Sequence, residues 1–120
     1  MEKTLQMAML FDIFGDLLTD KQKEYFDLYY NENLTLSEIA EYEGISRQGV
    51  RDIIMRAEAI LNETERKTGV LKRYIEIQNE VAAIEGYLGK IAELNQARFK
   101  NGRLLELSND IQSRLQLLKG

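Results

Sequence analysis

A short segment of this sequence carries side chains that could read the edges of DNA bases. They fall in the first turns of one predicted helix: Ser46, Arg47, Gln48, Arg51 and Asp52. Arginine can donate two parallel hydrogen bonds to guanine, glutamine can pair with adenine, and aspartate can accept a hydrogen bond from cytosine. The alternative is an ordinary solvated helix face, on which the arginines would pair with Asp52 or Glu58.

Three further residues have side chains suited to phosphate. Arg56 lies further along the same predicted helix. Thr35 and Ser37 stand at the start of the preceding helix, where hydroxyl groups and free backbone amides favour a phosphate. Together with the base-reading set, these residues predict double-stranded DNA as a partner.

The elements that position these side chains have helix-turn-helix spacing. Counted from Leu36 as the first residue, Ala40 is fifth, Gly44 ninth, Val50 fifteenth and Ile53 eighteenth. The small residue lets the two helices cross closely, the glycine permits a sharp turn, and the two branched residues fill the angle between the helices. An ordinary helical hairpin also favours glycine at its turn and remains the alternative.

Capping residues mark where the helices begin and end. Thr19-Asp20-Lys21-Gln22 and Thr35-Leu36-Ser37-Glu38 are capping-box patterns, in which the threonine and the residue three positions later satisfy free backbone donors. Ser46 caps the following helix, and Lys67-Thr68-Gly69 is typical of a helix C-terminus.

The C-terminal part of the chain has a heptad pattern instead. Apolar side chains recur at steps of three and four: Tyr74, Ile77, Val81, Ile84, Leu88 and Ile91. Such a seam requires a partner helix, so we expect it to form the contact of a homodimer. A turn at Lys100-Asn101-Gly102 and one more amphipathic helix complete an antiparallel helix pair.

These patterns predict an all-α protein. Proline is absent and the eight glycines are mostly isolated, so long helices can run unbroken. We expect an N-terminal helical domain over residues 1–69, with the helix-turn-helix at 35–67. A C-terminal helical dimerisation segment is expected over residues 70–120.

Composition argues against several classes of protein. The chain has no histidine and no cysteine, which removes the imidazole base, the thiolate nucleophile and the usual zinc ligands. We therefore expect no enzymatic activity, no metal and no cofactor. The longest uninterrupted apolar run is five residues, 7–11, against about 20 for a bilayer span. The sequence thus predicts a cytoplasmic protein without membrane insertion.

Two known families share these patterns. Ser46-Arg47-Gln48-Gly49-Val50-Arg51-Asp52-Ile53 resembles the recognition helix in region four of bacterial sigma factors, and residues 18–61 resemble that domain. Nearly the whole chain resembles the YlxM family of small sigma-like helix-turn-helix proteins. The matching segments are Met1-Glu2-Lys3-Thr4-Leu5, Leu17-Leu18-Thr19-Asp20-Lys21-Gln22, Leu28-Tyr29-Tyr30 and Ser37-Glu38-Ile39-Ala40-Glu41.

The resemblance to the YlxM family implies a cytoplasmic bacterial protein of regulatory type. It also implies a connection with the signal recognition particle, because the family's genes lie beside those of that particle's protein. By resemblance to sigma region four, Arg47, Gln48 and Asp52 match base-reading positions, and Arg51 matches a phosphate contact. Gly49 stands where a charged residue is common in that region, which removes one contact.

Charge favours a second hypothesis. Residues 20–68 contain seven basic and eleven acidic side chains, a net charge of −4, whereas phosphate binding requires local positive potential. The alternative is a protein-interaction module that acts on the protein or RNA of the signal recognition particle without binding DNA. Dimerisation would favour DNA binding, since two recognition helices about 34 Å apart would add their contacts.

Overall fold

The computed structural model describes residues 1–120 and consists of helices without strands, as predicted for an all-α chain. Six α-helices follow one another: α1 Lys3–Phe14, α2 Asp20–Tyr30, α3 Leu36–Glu43, α4 Arg47–Thr68, α5 Val70–Leu94 and α6 Gly102–Leu118. A 3-10 turn over Gly15–Leu17 follows α1, and a π-helical turn over Asn95–Phe99 follows α5. None of the helices is long and apolar enough to cross a membrane.

The chain forms two compact units, Met1–Leu71 and Lys72–Gly120. The first unit holds α1 to α4 and the candidate helix-turn-helix. One cluster of its core joins buried side chains from α2, α3 and α4: Tyr25, Ile39, Ala40, Val50 and Ile54. Met7 and Leu10 of α1 and Phe26 of α2 are also buried. Further along α4, Ala57 and Leu61 are also buried, at the three- and four-residue spacing that the sequence predicts. One side of α4 therefore packs against the rest of the unit as far as Leu61.

The predicted caps are present and fix the helix boundaries. Thr19 accepts a hydrogen bond from the Gln22 amide at 3.2 Å, and the Thr19 amide donates to the Gln22 side chain at 2.9 Å. The same reciprocal pair joins Thr35 and Glu38, with both distances at 3.1 Å. Ser46 Oγ accepts from the Gly49 amide at 3.0 Å and begins α4. Each such cap stabilises its helix by about 1 kcal/mol.

The second unit contains an antiparallel pair made by α5 and α6. Val81 and Leu88 of α5 are buried against Leu115 of α6, and Ile77 packs beside them. Polar contacts fix the register, because Glu85 accepts a hydrogen bond from Gln112 at 3.0 Å and pairs with Lys119 at 2.7 Å. Three members of the predicted heptad seam, Ile77, Val81 and Leu88, therefore pack inside the chain.

Candidate nucleic-acid interface

The α3 and α4 helices form the predicted helix-turn-helix. Gly44 follows α3 with φ of +69°, a left-handed conformation that residues with a Cβ atom rarely adopt. The amides of Gly44 and Ile45 both donate to the carbonyl of Ala40, at 2.9 and 3.2 Å, which closes the turn. The Ala40 side chain is also buried between the helices. The same residue therefore fixes both the turn and the crossing of α3 and α4.

The first turns of α4 present their polar side chains to solvent. All of the residues predicted to read bases or contact phosphate from this helix are exposed: Ser46, Arg47, Gln48, Arg51, Asp52 and Arg56. Val50 and Ile54 lie buried on the opposite side, so the helix offers one polar face while the other holds it in place. An exposed polar face on an anchored helix is what entry into a major groove requires.

The three arginines of this face form no salt bridge. The two carboxylates named in the alternative accept hydrogen bonds from other side chains. Asp52 accepts a hydrogen bond from Gln48 Nε2 at 2.8 Å. Glu58 accepts one from the Tyr30 hydroxyl on α2. No ion pair therefore joins the arginines to Asp52 or Glu58, and the face that they form is exposed to solvent.

The start of α3 offers hydrogen-bond donors beside this face. The Thr35 hydroxyl accepts from the Glu38 amide and retains its own proton for another acceptor. The amides of Leu36 and Ser37, which begin the helix, make no hydrogen bond within the chain. These groups lie in the first turn of α3, where the helix dipole favours an anion.

Comparison with known proteins identifies the family. A family model described as "Putative helix-turn-helix protein, YlxM / p13 like" matches residues 1–101, which include α1 to α5 and the π-helical turn after α5. The chain belongs to the YlxM / p13-like family. The resemblance inferred from the sequence is therefore confirmed, and the α3–α4 geometry agrees with the helix-turn-helix of the family description.

Relatives of the YlxM / p13-like chain cover most of its length. A UPF0122 protein of Thermoanaerobacter sp. (strain X514) is 40% identical over 114 residues, which span 95% of this chain and 94% of the relative. A UPF0122 protein of Bacillus mycoides (strain KBAB4) is 44% identical over 96 residues, 80% of this chain and 87% of the relative. A UPF0122 protein of Bacillus cereus (strain AH187) is 43% identical over the same shares.

Gly49 of the YlxM / p13-like chain occupies a confined place in the first turn of α4. A Cβ atom at this position would lie 3.2 Å from Ser46 Oγ and 3.6 Å from Ile45 Cδ1. The same serine oxygen accepts the Gly49 amide and so caps the helix. Glycine at this position thus leaves room for the cap.

The predicted dimerisation residues fall into two groups. Val81 and Leu88 are buried inside the α5–α6 pair, and Tyr74 and Ile77 are half-buried. Ile84 and Ile91 are 40% and 44% exposed. The heptad pattern therefore divides between a contact within the chain and a surface that remains open.

Sequence reasoning did not connect Lys3 with this site. The structure brings Lys3 of α1 to the rim of a cleft that Thr35 and Arg47 also line. No local pattern relates residues so far apart in the sequence, and Lys3 carries no motif of its own. Only the packing of α1 in the first unit reveals this proximity.

Proposed function

We propose that this YlxM / p13-like protein is a cytoplasmic, non-enzymatic regulator that binds duplex DNA through α4. The observation that carries the proposal is the exposed face on which Arg47, Arg51 and Arg56 stand without a carboxylate partner. The first unit is rich in acidic residues, but three arginines without a carboxylate partner stand on one exposed face of α4. They give that face positive potential, which attracts phosphate and guanine.

The roles of the side chains follow from their place on the helix. In the first two turns, Arg47, Gln48 and Asp52 would meet base edges in the major groove. The Gln48–Asp52 hydrogen bond holds these two side chains next to each other. Together they would present hydrogen-bond donors and acceptors to neighbouring base edges. Ser46 caps this turn and lies beside the same groove.

Phosphate contacts would flank the base-reading turns. Arg51 and Arg56 lie on the exposed face of α4, and Thr35 and Ser37 present hydroxyls at the start of α3. Contacts of this kind fix the register of the helix on the duplex without reading sequence. The helix-turn-helix would thus touch the backbone from both of its helices.

A homodimer through the second unit is part of the proposal. Only three apolar side chains of the α5–α6 pair are buried in their shared core: Val81, Leu88 and Leu115. Several others are 38–44% exposed, and a helix pair this thinly packed gains from covering them. They are Ile84, Ile91, Leu104, Leu107 and Ile111. Two copies would bury them in a four-helix arrangement.

The size of the electrostatic contribution favours a dimer as the binding species. Each cation that neutralises a phosphate contributes about 0.9 to the slope of log K against log salt. The two phosphate-contacting arginines of each copy, Arg51 and Arg56, would give a slope of roughly −2 for one copy and −4 for two. One copy alone would therefore bind weakly at physiological salt, and two copies would reach adjacent half-sites about 34 Å apart.

Selection of sheared genomic DNA by the purified protein tests the proposal. The native protein should enrich a short two-fold-related sequence at moderate salt, and the double variant Arg47→Ala/Arg51→Ala should lose that enrichment. The matched control is Arg66→Ala/Lys67→Ala, which removes the same charge from the far end of α4, where both residues pair with Glu63. The control should retain the enriched sequence.

Each outcome separates base reading from general charge. If the native protein enriches no sequence over the arginine double variant, DNA reading is wrong. If both double variants lose binding equally, net charge alone governs the interaction. Single variants refine the roles, since Arg47→Ala should relax base preference whereas Arg56→Ala should weaken all sequences alike.

A second candidate function rests on the acidic balance of residues 20–68, which carry a net charge of −4. On this reading the helix-turn-helix is a protein-interaction surface, and its partner is the protein or RNA of the signal recognition particle. Co-sedimentation with each component, at a salt concentration where DNA binding is lost, tests it. Absence of the protein from every such fraction would count against this function.

A further inference from the structure

A cleft of about 490 Å³ opens beside the helix-turn-helix in the first unit. Its lining comes from the start of α1, the end of α2, the segment that leads into α3, and the first turn of α4. The polar residues among them include Lys3, Tyr29, Asn33, Thr35 and Arg47. A smaller neighbouring cleft of about 190 Å³ shares Lys3 and Tyr29 and is also lined by Arg51.

The cations at this cleft are weakly neutralised. Lys3 has one carboxylate near it, that of Glu58, with Nζ and Oε2 4.0 Å apart, and the lysine side chain is 74% exposed. Glu58 is only 17% exposed and accepts the hydrogen bond of the Tyr30 hydroxyl. Arg47 forms no salt bridge. The rim of the cleft therefore carries two positive charges that a ligand could use.

Neutral donors complete the lining. The Thr35 hydroxyl accepts the Glu38 amide and keeps its own proton available. Glu38 keeps its negative charge here, and the hydrogen bond that its carboxylate accepts from the Thr35 amide at 3.1 Å offsets only part of the repulsion of an anion. Asn33 adopts a left-handed φ of +57°, which turns the chain between α2 and α3 at the edge of the cleft. The Lys3 ammonium with hydroxyl and amide donors forms a site for a phosphate oxyanion, and Arg47 adds positive charge beside it.

We propose that this cleft binds a backbone phosphate of duplex DNA and that Lys3 makes the contact from α1. The inference rests on the proposed function and extends it, because the helix-turn-helix pattern does not include α1. When α4 lies in the major groove, the Thr35 end of α3 faces the adjacent sugar-phosphate backbone. Lys3 then adds one ionic contact per copy beyond those of Arg51 and Arg56.

The first test compares the salt dependence of duplex binding by Lys3→Gln and Lys21→Gln. Lys21 is an exposed lysine at the start of α2, outside the cleft, and it forms no salt bridge, so both variants lose one positive charge. Fluorescence anisotropy should show that Lys3→Gln lowers the salt slope by about 0.9 per copy while the sequence preference stays unchanged. Lys21→Gln should leave the slope as it is, and Lys3→Arg should restore it.

A second measurement separates this inference from the proposed function. Titration of inorganic pyrophosphate into the isotopically labelled full chain should shift the backbone amide signals of Asn33, Thr35 and Arg47. The Lys3→Gln variant should reduce these shifts. Circular dichroism melts of the variants should match the native melt, since the Lys3 side chain is largely exposed.

The outcomes are distinct. Equal salt slopes for the Lys3 and Lys21 variants, with duplex binding intact, would overturn the assignment of Lys3 and leave α4 as the DNA-reading element. Pyrophosphate shifts without any duplex binding would overturn the DNA role and assign the cleft to a free phosphate compound. An absence of shifts in the native protein would show that the cleft is not a phosphate site.

Discussion

Replacing Gly44 with alanine measures the free energy that the turn of the helix-turn-helix requires. Gly44 has φ of +69° and ψ of +31°, and no atom lies within 4 Å of the place where a Cβ atom would stand. Because the added methyl group meets nothing, the cost comes from the left-handed backbone alone. For an L-residue that cost is about 1–2 kcal/mol.

The assay is denaturant unfolding of the full chain, followed by circular dichroism. Gly44→Ala should lower the free energy of unfolding by about 1–2 kcal/mol. In a thermal melt, each 1 kcal/mol corresponds to roughly 4–8 °C for a domain of this size. Gly44→Asn should cost less than Gly44→Ala, since asparagine adopts the left-handed region more readily.

Gly69 provides a matched control. It ends α4 with φ of +65°, and a Cβ atom there would also stand in open space. Gly69→Ala should therefore cost the same as Gly44→Ala, although only Gly44 lies in the helix-turn-helix. A Gly44→Ala variant as stable as the native chain would refute the reasoning. A cost several kcal/mol larger than that of Gly69→Ala would also refute it, because contacts of the added methyl group, and not the backbone dihedral, would then determine the loss of stability.

Three other predictions concern separate features. Glu43 shares a hydrogen bond with Glu24 and repels its charge, which raises the pKa of Glu24, so stability should fall as the pH rises above the ordinary glutamate range. Glu24→Gln should remove that fall and raise the melting temperature at pH 7, as melts across the pH range would show. Asn95→Ala should destabilise the second unit by about 1–3 kcal/mol, because Asn95 both donates to and accepts from the Asn101 backbone, at 3.0 and 2.9 Å; hydrogen exchange in α6 would report it. Leu115→Ala should cost about 2–5 kcal/mol in denaturant unfolding, since Leu115 is the α6 residue buried between Val81 and Leu88.

The first unit is predictable from the sequence because its signals are local. A capping box depends on residues three positions apart, and both predicted boxes form with the expected partners. Gly44 and Gly69 take the left-handed conformation that their places after a helix indicate. The spacing of Ala40, Gly44 and Val50 depends on one turn and two helices, so a single stretch of sequence specifies the motif.

The heptad seam shows where sequence reasoning stops. Apolar residues at steps of three and four predict that a helix packs against another helix, but they do not identify that helix. The structure gives Val81 and Leu88 to α6 of the same chain and leaves Ile84 and Ile91 exposed. The dimer contact expected along the whole seam therefore stays a prediction, and the exposed part of the pattern is the surface on which to test it.

Contacts between residues far apart in the sequence are not predictable from local patterns either. Asn95 is buried and polar because it closes the turn between α5 and α6, and its partner Asn101 lies across a π-helical turn that no pattern indicated. Tyr30 and Glu58 meet from α2 and α4, which leaves the arginines without that carboxylate. Whether the arginines have a carboxylate partner therefore depends on how the helices of the first unit pack, which the sequence pattern does not show.

The acidic charge of the first unit and its arginine face are compatible if the protein discriminates between DNA sequences. Nonspecific binding depends almost wholly on phosphate neutralisation, so it has no other contribution to offset the repulsion from acidic side chains near the duplex, such as the exposed Glu38 and Glu41 on α3. Base contacts made by Arg47 and Gln48 add affinity only on the correct sequence. An acidic unit would thus bind random DNA poorly and depend on two copies reading adjacent half-sites. Neutralising Glu41 with glutamine should raise the affinity for random and for specific DNA by about the same factor, because the phosphate contribution is common to both, and a gain confined to one of them would contradict this account.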